Sequence, residues 1–195
     1  MLTLAVKLED RNNDIALFNR LREGQRLALN TLFVNYYESL CRFAFSFVKN
    51  KQEAEELVND VFLQLWRKRE HISIEHSVKA YLFASVRHAS LAMLQKKVIV
   101  FDSLDDVLQH PQETITPEQE TAHSELTLLV AQALENLPER TRQVFLLSRF
   151  ENLKYAEIAQ TLALSEKTVE GHITKALAHL RECLRKYYPS VTVSR

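Results

Sequence analysis

The sequence predicts an all-α protein of two small helical domains joined by a flexible acidic linker. The 195 residues include only 2 Gly and 4 Pro but 46% apolar residues, and the apolar residues recur mainly at the spacing of amphipathic helices. Residues 98–125 contain Pro111 and Pro117, no Lys or Arg, and seven acidic residues. That composition is typical of a linker. The predicted boundaries are therefore 1–97 for the N-terminal domain, 98–125 for the linker and 126–195 for the C-terminal domain.

Composition also narrows the class of protein. The formal net charge is zero, yet the predicted N-terminal domain carries +4 and the linker −7, so the average conceals two weakly basic blocks around an acidic segment. The chain has no apolar run of 18 residues and begins without the pattern of a secretory signal, so we expect a cytoplasmic protein. Cys41 and Cys183 lie far apart in helical patterns, so neither a disulfide nor a metal site is predicted.

Four helices are predicted in the N-terminal domain, at about residues 15–24, 27–48, 52–69 and 79–97, with a loop at residues 70–78. Aromatic residues of the second helix are interpreted as core. The outer face of the third helix is polar but includes Leu63, which suggests a contact surface. Basic residues of the fourth helix are interleaved with aromatic ones, as in proteins that track a nucleic-acid strand. A solvated face explains the composition of that helix slightly better.

The C-terminal domain ends in a predicted helix-turn-helix. Two helices come first, over residues 126–137 and then from Pro138, which suits a first helical position, to Phe150. A helix at residues 155–162 and a turn at Ala163 to Ser165 lead to a last helix, and Ser165 can cap that helix. The turn often has Gly where this chain has Ala163, and a left-handed backbone there costs an alanine about 1 kcal/mol.

The last helix is amphipathic, and five apolar positions are predicted to face inward: Val169, Ile173, Ala176, Leu177 and Leu180. Near the N-terminal end, the residues on its opposite face are mostly short or polar. Such a helix fits the DNA major groove, whereas an ordinary helical hairpin remains the alternative.

Four stretches of the chain follow one another in an informative order. They are LREGQRLALNTLFVNYYESLCRFAFSFV, AEELVNDVFLQLW, KAYLFASVRHASLAML and, after the acidic segment, LPERTRQVFLLSRFENLKYAEIAQTLALSEKTVEGHITKAL. Together they resemble the RNA polymerase sigma factors of the extracytoplasmic-function group, over nearly all of residues 21–187. The resemblance implies that the second stretch binds core polymerase, the third engages the minus-ten promoter element, and the fourth reads the minus-thirty-five element.

The resemblance also implies roles for individual residues. The expected polymerase contacts are Glu56, Asn59, Asp60, Leu63 and Gln64. The loop at residues 70–77 is expected to hold a base flipped out of the melted minus-ten strand. The expected DNA contacts are Lys79, Arg87 and His88 along that strand, and Ser165, Lys167, Thr168, Glu170, Gly171, His172 and Lys175 at the minus-thirty-five element.

This interpretation predicts a promoter-specificity subunit that is not an enzyme. No pattern of catalytic, phosphate-binding or metal-binding residues is present, so we expect no cofactor and no small-molecule substrate. The expected partners are core RNA polymerase, promoter DNA and a membrane-bound anti-sigma factor. Two rival hypotheses remain at this point: a transcription regulator that binds duplex DNA without polymerase, and a protein-interaction adaptor that needs no DNA.

Overall fold

The computed structural model describes residues 13–74, 76–101 and 125–187. Over these ranges the regular elements are helices, and none of the helices is long and apolar enough to cross a bilayer. The chain divides into two compact units between Glu113 and Thr114, a point inside the predicted linker. Most of that linker, and Pro189, which follows the last helix, lie outside the described residues, so the exact domain bounds stay a prediction.

Unit 1 contains four helices. They are α1 at residues 13–22, α2 at Arg26–Val48, α3 at Lys51–Lys68 and α4 at Val78–Phe101. Gly24 has a φ of 85°, a left-handed conformation that suits glycine in the turn before α2. The side chain of Asn50 accepts the Glu53 N–H at 3.0 Å and caps α3. The predicted end of α4 at Lys97 is wrong by four residues, because the apolar run that follows contains no helix breaker.

The core of unit 1 forms where α2, α3 and α4 pack against one another. Phe33 of α2 meets Phe62 of α3 with ring centroids 5.0 Å apart, and Phe43 of α2 meets Phe83 of α4 at 5.1 Å. Edge-to-face aromatic pairs of this kind stabilise a core beyond their buried area. The prediction that the aromatic residues of α2 serve mainly the core is confirmed for these positions.

Unit 2 is organised around its last helix. Its helices are α5 at Glu125–Glu135, α6 at Glu139–Arg149, α7 at Tyr155–Leu162 and α8 at Glu166–Tyr187, and α8 packs against the other three. Val169 and Ala176 are fully buried, as predicted. Leu177 was predicted to be buried but is 38% exposed. One helical residue corresponds to about 100°, so Leu177 turns away from the face that Ala176 buries.

The turn between α7 and α8 has the backbone that the helix-turn-helix pattern requires. Ala163 adopts φ 53° and ψ 54°, in the left-handed region that is unfavourable for an alanine by about 1 kcal/mol. Its N–H, with that of Leu164, bonds back to carbonyls of α7, so the turn closes the end of that helix. The packed unit thus imposes a conformation that the local sequence does not favour.

Candidate protein and nucleic-acid interfaces

The five predicted polymerase contacts lie together on one exposed face of α3. All of them are exposed, and Leu63 exposes 43% of its surface. Their spacing over two helical turns keeps them within one side of the helix. Asn59, at the edge of this face, lies close to the Tyr37 side chain of α2. The face combines two carboxylates, Glu56 and Asp60, with one large apolar side chain.

Two exposed apolar residues of α2 extend this surface, and the sequence analysis missed them. Leu27 is 75% exposed and Val34 is 70% exposed, seven residues apart and therefore on one side of the helix. Val34 follows Phe33 and Leu63 follows Phe62, the two rings that meet across α2 and α3. In a pair of antiparallel helices both following residues turn to the same side. We call the surface of Leu27, Val34 and the five α3 residues the α2–α3 face.

A repeat of apolar residues at i and i+7 on the polar side of α2 was the signal that identifies this extension. From the sequence, the aromatic residues of α2 were assigned to the core, and Leu27 and Val34 were given no role. The side of a helix on which an apolar residue lies decides whether that residue is core or surface.

The three predicted minus-ten contacts of α4 are not equivalent. His88 is exposed, and Lys79 is half-buried with its ammonium 5.7 Å from the centre of the Tyr36 ring. Arg87 is only 9% exposed, so its expected position on an open basic edge is wrong. It lies four residues after the buried Phe83 and three before the buried Ser90, on the inward side of the helix.

The basic edge of α4 also loses an unpaired charge toward the C-terminal end of the helix. The Lys97 Nζ lies 2.5 and 2.7 Å from the two carboxylate oxygens of Glu53 on α3. Both side chains are less than one-third exposed, so this charge is balanced within the unit. Lys79, His88 and Lys96 remain as the accessible basic or titratable groups of the predicted edge.

The loop before α4 is anchored at both ends. Arg69 stacks on Trp66 with 4.6 Å between the guanidinium carbon and the ring centre, and pairs with Glu70 at 2.9 Å. At the other end, the Ser77 Oγ accepts the Ala80 N–H at 3.1 Å and caps α4. The predicted loop is confirmed as non-helical between these anchors over its described residues.

The start of α8 is fixed by the predicted serine cap. The Ser165 Oγ accepts the Thr168 N–H at 3.1 Å, and the two hydroxyl oxygens are 2.8 Å apart. Both hydroxyls therefore stabilise the first turn of the helix. Lys167, Gly171 and Lys175 are exposed on the polar side of α8, and Glu170 is exposed beside them.

His172 differs from its predicted orientation toward a DNA groove. Its Nδ1 lies 3.0 Å from the Oγ1 of Thr141 in α6, and the ring is half-buried. Burial, followed by the positive charges of Lys175 and Arg140, lowers the pKa of His172 below its usual value because each disfavours the imidazolium. One edge of the ring is thus held against α6, which leaves only the other edge for a ligand.

Residues of both units match known protein families. Residues 32–98 match the family model for sigma-70 region 2, and residues 127–180 match the model for sigma-70 region 4. The two matches follow the order that the sequence analysis predicted, and together they cover more than half of the chain. The first match includes the five exposed α3 residues and the loop before α4, and the second includes the start of α8.

Individual relatives agree with these matches. RNA polymerase sigma factor SigV of Bacillus subtilis is 26% identical over 167 residues, which cover 85% of this chain and 96% of the relative. The ECF RNA polymerase sigma-E factor of Haemophilus influenzae is 25% identical over 172 residues, covering 84% and 90%. The sigma factor RpoE of Bartonella quintana, solved in complex with the anti-sigma factor NepR, has a TM-score of 0.64 at 20% identity over 80% of this chain and 96% of that one. This structural likeness supports the fold. The chain belongs to the sigma-70 family of RNA polymerase sigma factors, in its extracytoplasmic-function group.

Proposed function

We propose that this chain is a dissociable promoter-specificity subunit that binds core RNA polymerase and directs it to promoters with two recognised elements. Unit 1 docks on polymerase and holds the melted minus-ten strand, and unit 2 reads the minus-thirty-five duplex. Catalysis belongs to polymerase, so the chain is not itself an enzyme. It acts in the cytoplasm together with polymerase. The observation that carries the proposal is the order of sigma-70 region 2 and region 4 in one chain.

The α2–α3 face suits a protein partner. Leu27, Val34 and Leu63 together expose an unusual amount of apolar surface for polar helix faces. Covering a large aliphatic side chain completely contributes about 1.5–3 kcal/mol, so a partner that buries these three gains substantial affinity. Glu56 and Asp60 add carboxylates at the rim, where opposite charges on the partner favour one docking orientation.

The N-terminal half of α8 suits duplex DNA. Gly171 and Thr174 are exposed and small, which permits close approach of the helix to the floor of a groove. Lys167 precedes these two residues along the helix and Lys175 follows them, and both suit the phosphates that border the groove. Thr168 and Glu170 supply the polar atoms that can distinguish base edges.

The minus-ten element is assigned to the loop at residues 70–77 and to the start of α4. Lys79 and His88 lie about two and a half helical turns apart on α4, about 13 Å along the axis but on opposite sides of the helix, so a strand that contacts both must cross the helix rather than follow one face of it. A flipped base would bind in the loop between its two anchored ends. Arg87 is buried in the free chain and is given no direct contact with the strand in this proposal.

A membrane-bound anti-sigma factor is proposed as the regulator. The relative RpoE was solved in complex with its anti-sigma factor NepR, and this chain has an exposed apolar face that a protein inhibitor can cover. An inhibitor on the α2–α3 face excludes polymerase by direct competition. Release of that inhibitor then controls promoter use.

Reconstituted transcription tests the proposed function. The full chain is added to core polymerase, and transcripts from a library of promoter fragments are sequenced. The expected result is initiation from a defined promoter set only when both proteins are present. Duplex binding by the chain alone at two-fold sites indicates the independent regulator instead, and no DNA dependence at all indicates the adaptor. Each of these two results contradicts the proposal.

A further inference from the structure

The first helix of unit 1 is joined by side chains to the helix that carries the proposed minus-ten contacts. Asp14, near the start of α1, is only 8% exposed. Its carboxylate accepts a hydrogen bond from the Tyr36 hydroxyl of α2, and the centre of the Tyr36 ring lies 5.7 Å from the ammonium of Lys79 on α4. One series of contacts thus connects α1, α2 and α4. Asp14 and Tyr36 were given no part in DNA binding from the sequence, and α1 precedes the residues that match sigma-70 region 2.

We propose that Asp14 and Tyr36 are positioning residues of the minus-ten site, which hold the Lys79 ammonium where a phosphate of the melted strand binds. The proposal rests on the proposed function, because that function assigns the strand to the start of α4. Asp14 and Tyr36 act through Lys79 and make no contact with DNA themselves. By this route α1 takes part in promoter opening although it lies outside the strand-binding residues.

The Asp14 carboxylate is stabilised by the Tyr36 hydroxyl. A carboxylate that is sheltered from water is unfavourable unless donors bind it, and a hydrogen bond to a charged acceptor is stronger than one between neutral groups. The bond also moves electron density onto the phenol, because hydrogen-bonded groups polarise one another. A more electron-rich ring attracts the Lys79 ammonium more strongly at its face. The charge on α1 therefore strengthens a contact made between α2 and α4.

Lys79 is restricted before the strand arrives. A lysine side chain is long and has many rotamers, so fixing it on binding costs conformational entropy. In the free chain the Tyr36 ring already holds Lys79, so less of this entropy is lost when a phosphate binds. Lys79 is half-buried, so part of its surface stays open to the strand. The ring contact and a phosphate contact are thus compatible.

Tyr36 lies away from the surface assigned to polymerase. It follows Val34 by two residues, which places it about 200° around α2 from the exposed part of the α2–α3 face. A change at Tyr36 therefore acts on Lys79 without removing a contact to polymerase. For this reason, promoter opening and polymerase binding can be measured as separate effects.

The other end of α1 lies beside the loop that precedes α4. Asn19 and Arg22, near the end of α1, line one open cavity together with Glu70, the first residue of that loop. Asp14 and Arg22 are eight residues apart, about 12 Å along the helix. One helix therefore lies beside the start of the loop and is connected through Tyr36 to the start of α4 after it. This placement suits an element that supports the whole minus-ten site.

Promoter opening by reconstituted holoenzyme tests the positioning role. A promoter that the wild-type holoenzyme uses carries the fluorescent base 2-aminopurine in its minus-ten element, and polymerase is present at saturation. Tyr36→Phe keeps the ring but removes the hydroxyl, and it should lower the opening constant about threefold. Asp14→Asn should lower it by a similar factor, and the two changes together by no more than either alone. Polymerase affinity should be unchanged in all three variants.

Lys79→Ala separates positioning from a merely structural role. If Asp14 and Tyr36 act through Lys79, then Tyr36→Phe should have no further effect on opening in a chain that already carries Lys79→Ala. Tyr37→Phe is the matched control, since it removes a hydroxyl from the neighbouring position of the same helix, and opening should stay normal. Normal opening in Tyr36→Phe, an equal loss in the Lys79→Ala background, or an equal loss in Tyr37→Phe overturns the proposal.

The position of Lys79 also has a direct readout in the free chain. The ring current of Tyr36 should shift the ε-methylene protons of Lys79 upfield in the nuclear magnetic resonance spectrum of the full chain. Asp14→Asn should move these protons back toward their random-coil values, while circular dichroism reports intact helices. An unchanged shift in folded Asp14→Asn contradicts the proposal, because Asp14 then has no influence on the lysine.

Failure of the positioning role and failure of the proposed function are distinguishable. If the wild-type holoenzyme opens its promoters and the variants match it, only the positioning role is wrong. If the wild-type chain confers no promoter-specific initiation, the proposed function is wrong, and the assignment of Lys79 to a DNA strand is wrong with it.

Discussion

In unit 1 the α2–α3 face exposes three large aliphatic side chains beside two carboxylates, whereas the polar side of α8 in unit 2 exposes small residues between lysines. Both faces belong to amphipathic helices whose other sides are buried in a core. Buried apolar area acts at contact and depends little on salt, while lysines paired with phosphates lose affinity as salt rises. The difference favours a protein partner for the α2–α3 face and a nucleic-acid partner for the polar side of α8.

The largest expected effect comes from replacing an acidic and an apolar residue in the α3 part of this face with positively charged residues. Replacing both Asp60 and Leu63 with Arg should weaken core-polymerase binding at least 30-fold, since hot-spot positions contribute about 2 kcal/mol or more. Binding is measured by titration of labelled chain with core polymerase, and helix content by circular dichroism. Asn35→Arg, at an exposed position about 200° around α2 from Phe33 and therefore turned away from α3, is the control. Normal affinity with intact folding removes α3 from the interface.

A smaller loss of polymerase affinity is expected from a substitution in the α2 part of this face. Val34→Thr keeps the shape and β-branching of the side chain but adds a hydroxyl, so it should reduce polymerase affinity about fivefold, or about 1 kcal/mol, without unfolding α2. Val34→Ile should bind as well as the wild type. If the threonine and isoleucine variants bind equally, the apolar character of α2 has no part in docking and the face is confined to α3.

Local rules explain what the sequence predicted correctly. The 3.6-residue period gave α2, α3 and α8 to within a few residues, and Ser165 is the helix cap that its position before the helix indicated. Both signals depend on residues within one or two turns of each other. The exposed α3 face followed from the same period, because it is the side of the helix that the core does not use.

Contacts between distant segments explain what the sequence did not predict. The partner of His172 is 31 residues away in α6, and the two ion-paired residues Lys97 and Glu53 are 44 apart. The charge of Arg87 suggested exposure, yet the helix direction that the core imposes buries it. Residue type gives a preference between core and surface, and the packing of neighbouring helices decides the outcome.

The stability of unit 2 should depend on the cap of α8. Ser165→Ala removes the oxygen that accepts the Thr168 N–H and should cost about 1 kcal/mol. Amide hydrogen exchange in α7 and α8 of the full chain should accelerate about fivefold. Ser165→Asp preserves an acceptor and suits the helix dipole, so exchange should stay slow. Equal exchange in all three chains shows that the cap contributes nothing to the unit.

The stability of unit 2 should fall at acid pH because of His172. Its folded-state pKa is lowered, first by burial and then by Lys175 and Arg140, so the unfolded chain binds the proton more tightly. Stability therefore falls as the pH drops below about 6.5, the usual histidine pKa. His172→Gln has no titrating ring and should show a flatter profile of hydrogen exchange against pH in α6 and α8. A wild-type profile in that variant assigns the acid sensitivity to other groups.

The smallest expected effect is a gain in stability at the turn of the helix-turn-helix. Ala163 is exposed and has φ 53°, so Ala163→Gly relieves a left-handed strain of at least about 1 kcal/mol. Glycine also makes the unfolded chain more flexible, which offsets about 0.4–1 kcal/mol of that gain. The expected net stabilisation is about 0.5 kcal/mol, and hydrogen exchange in α7 should slow about twofold. Trp66 is the single tryptophan of the chain and lies in unit 1. The unfolding transition that its fluorescence reports should therefore be the same in the variant and in the wild type. Faster exchange in α7 contradicts the prediction, because the alanine side chain must then contribute more than its backbone strain costs.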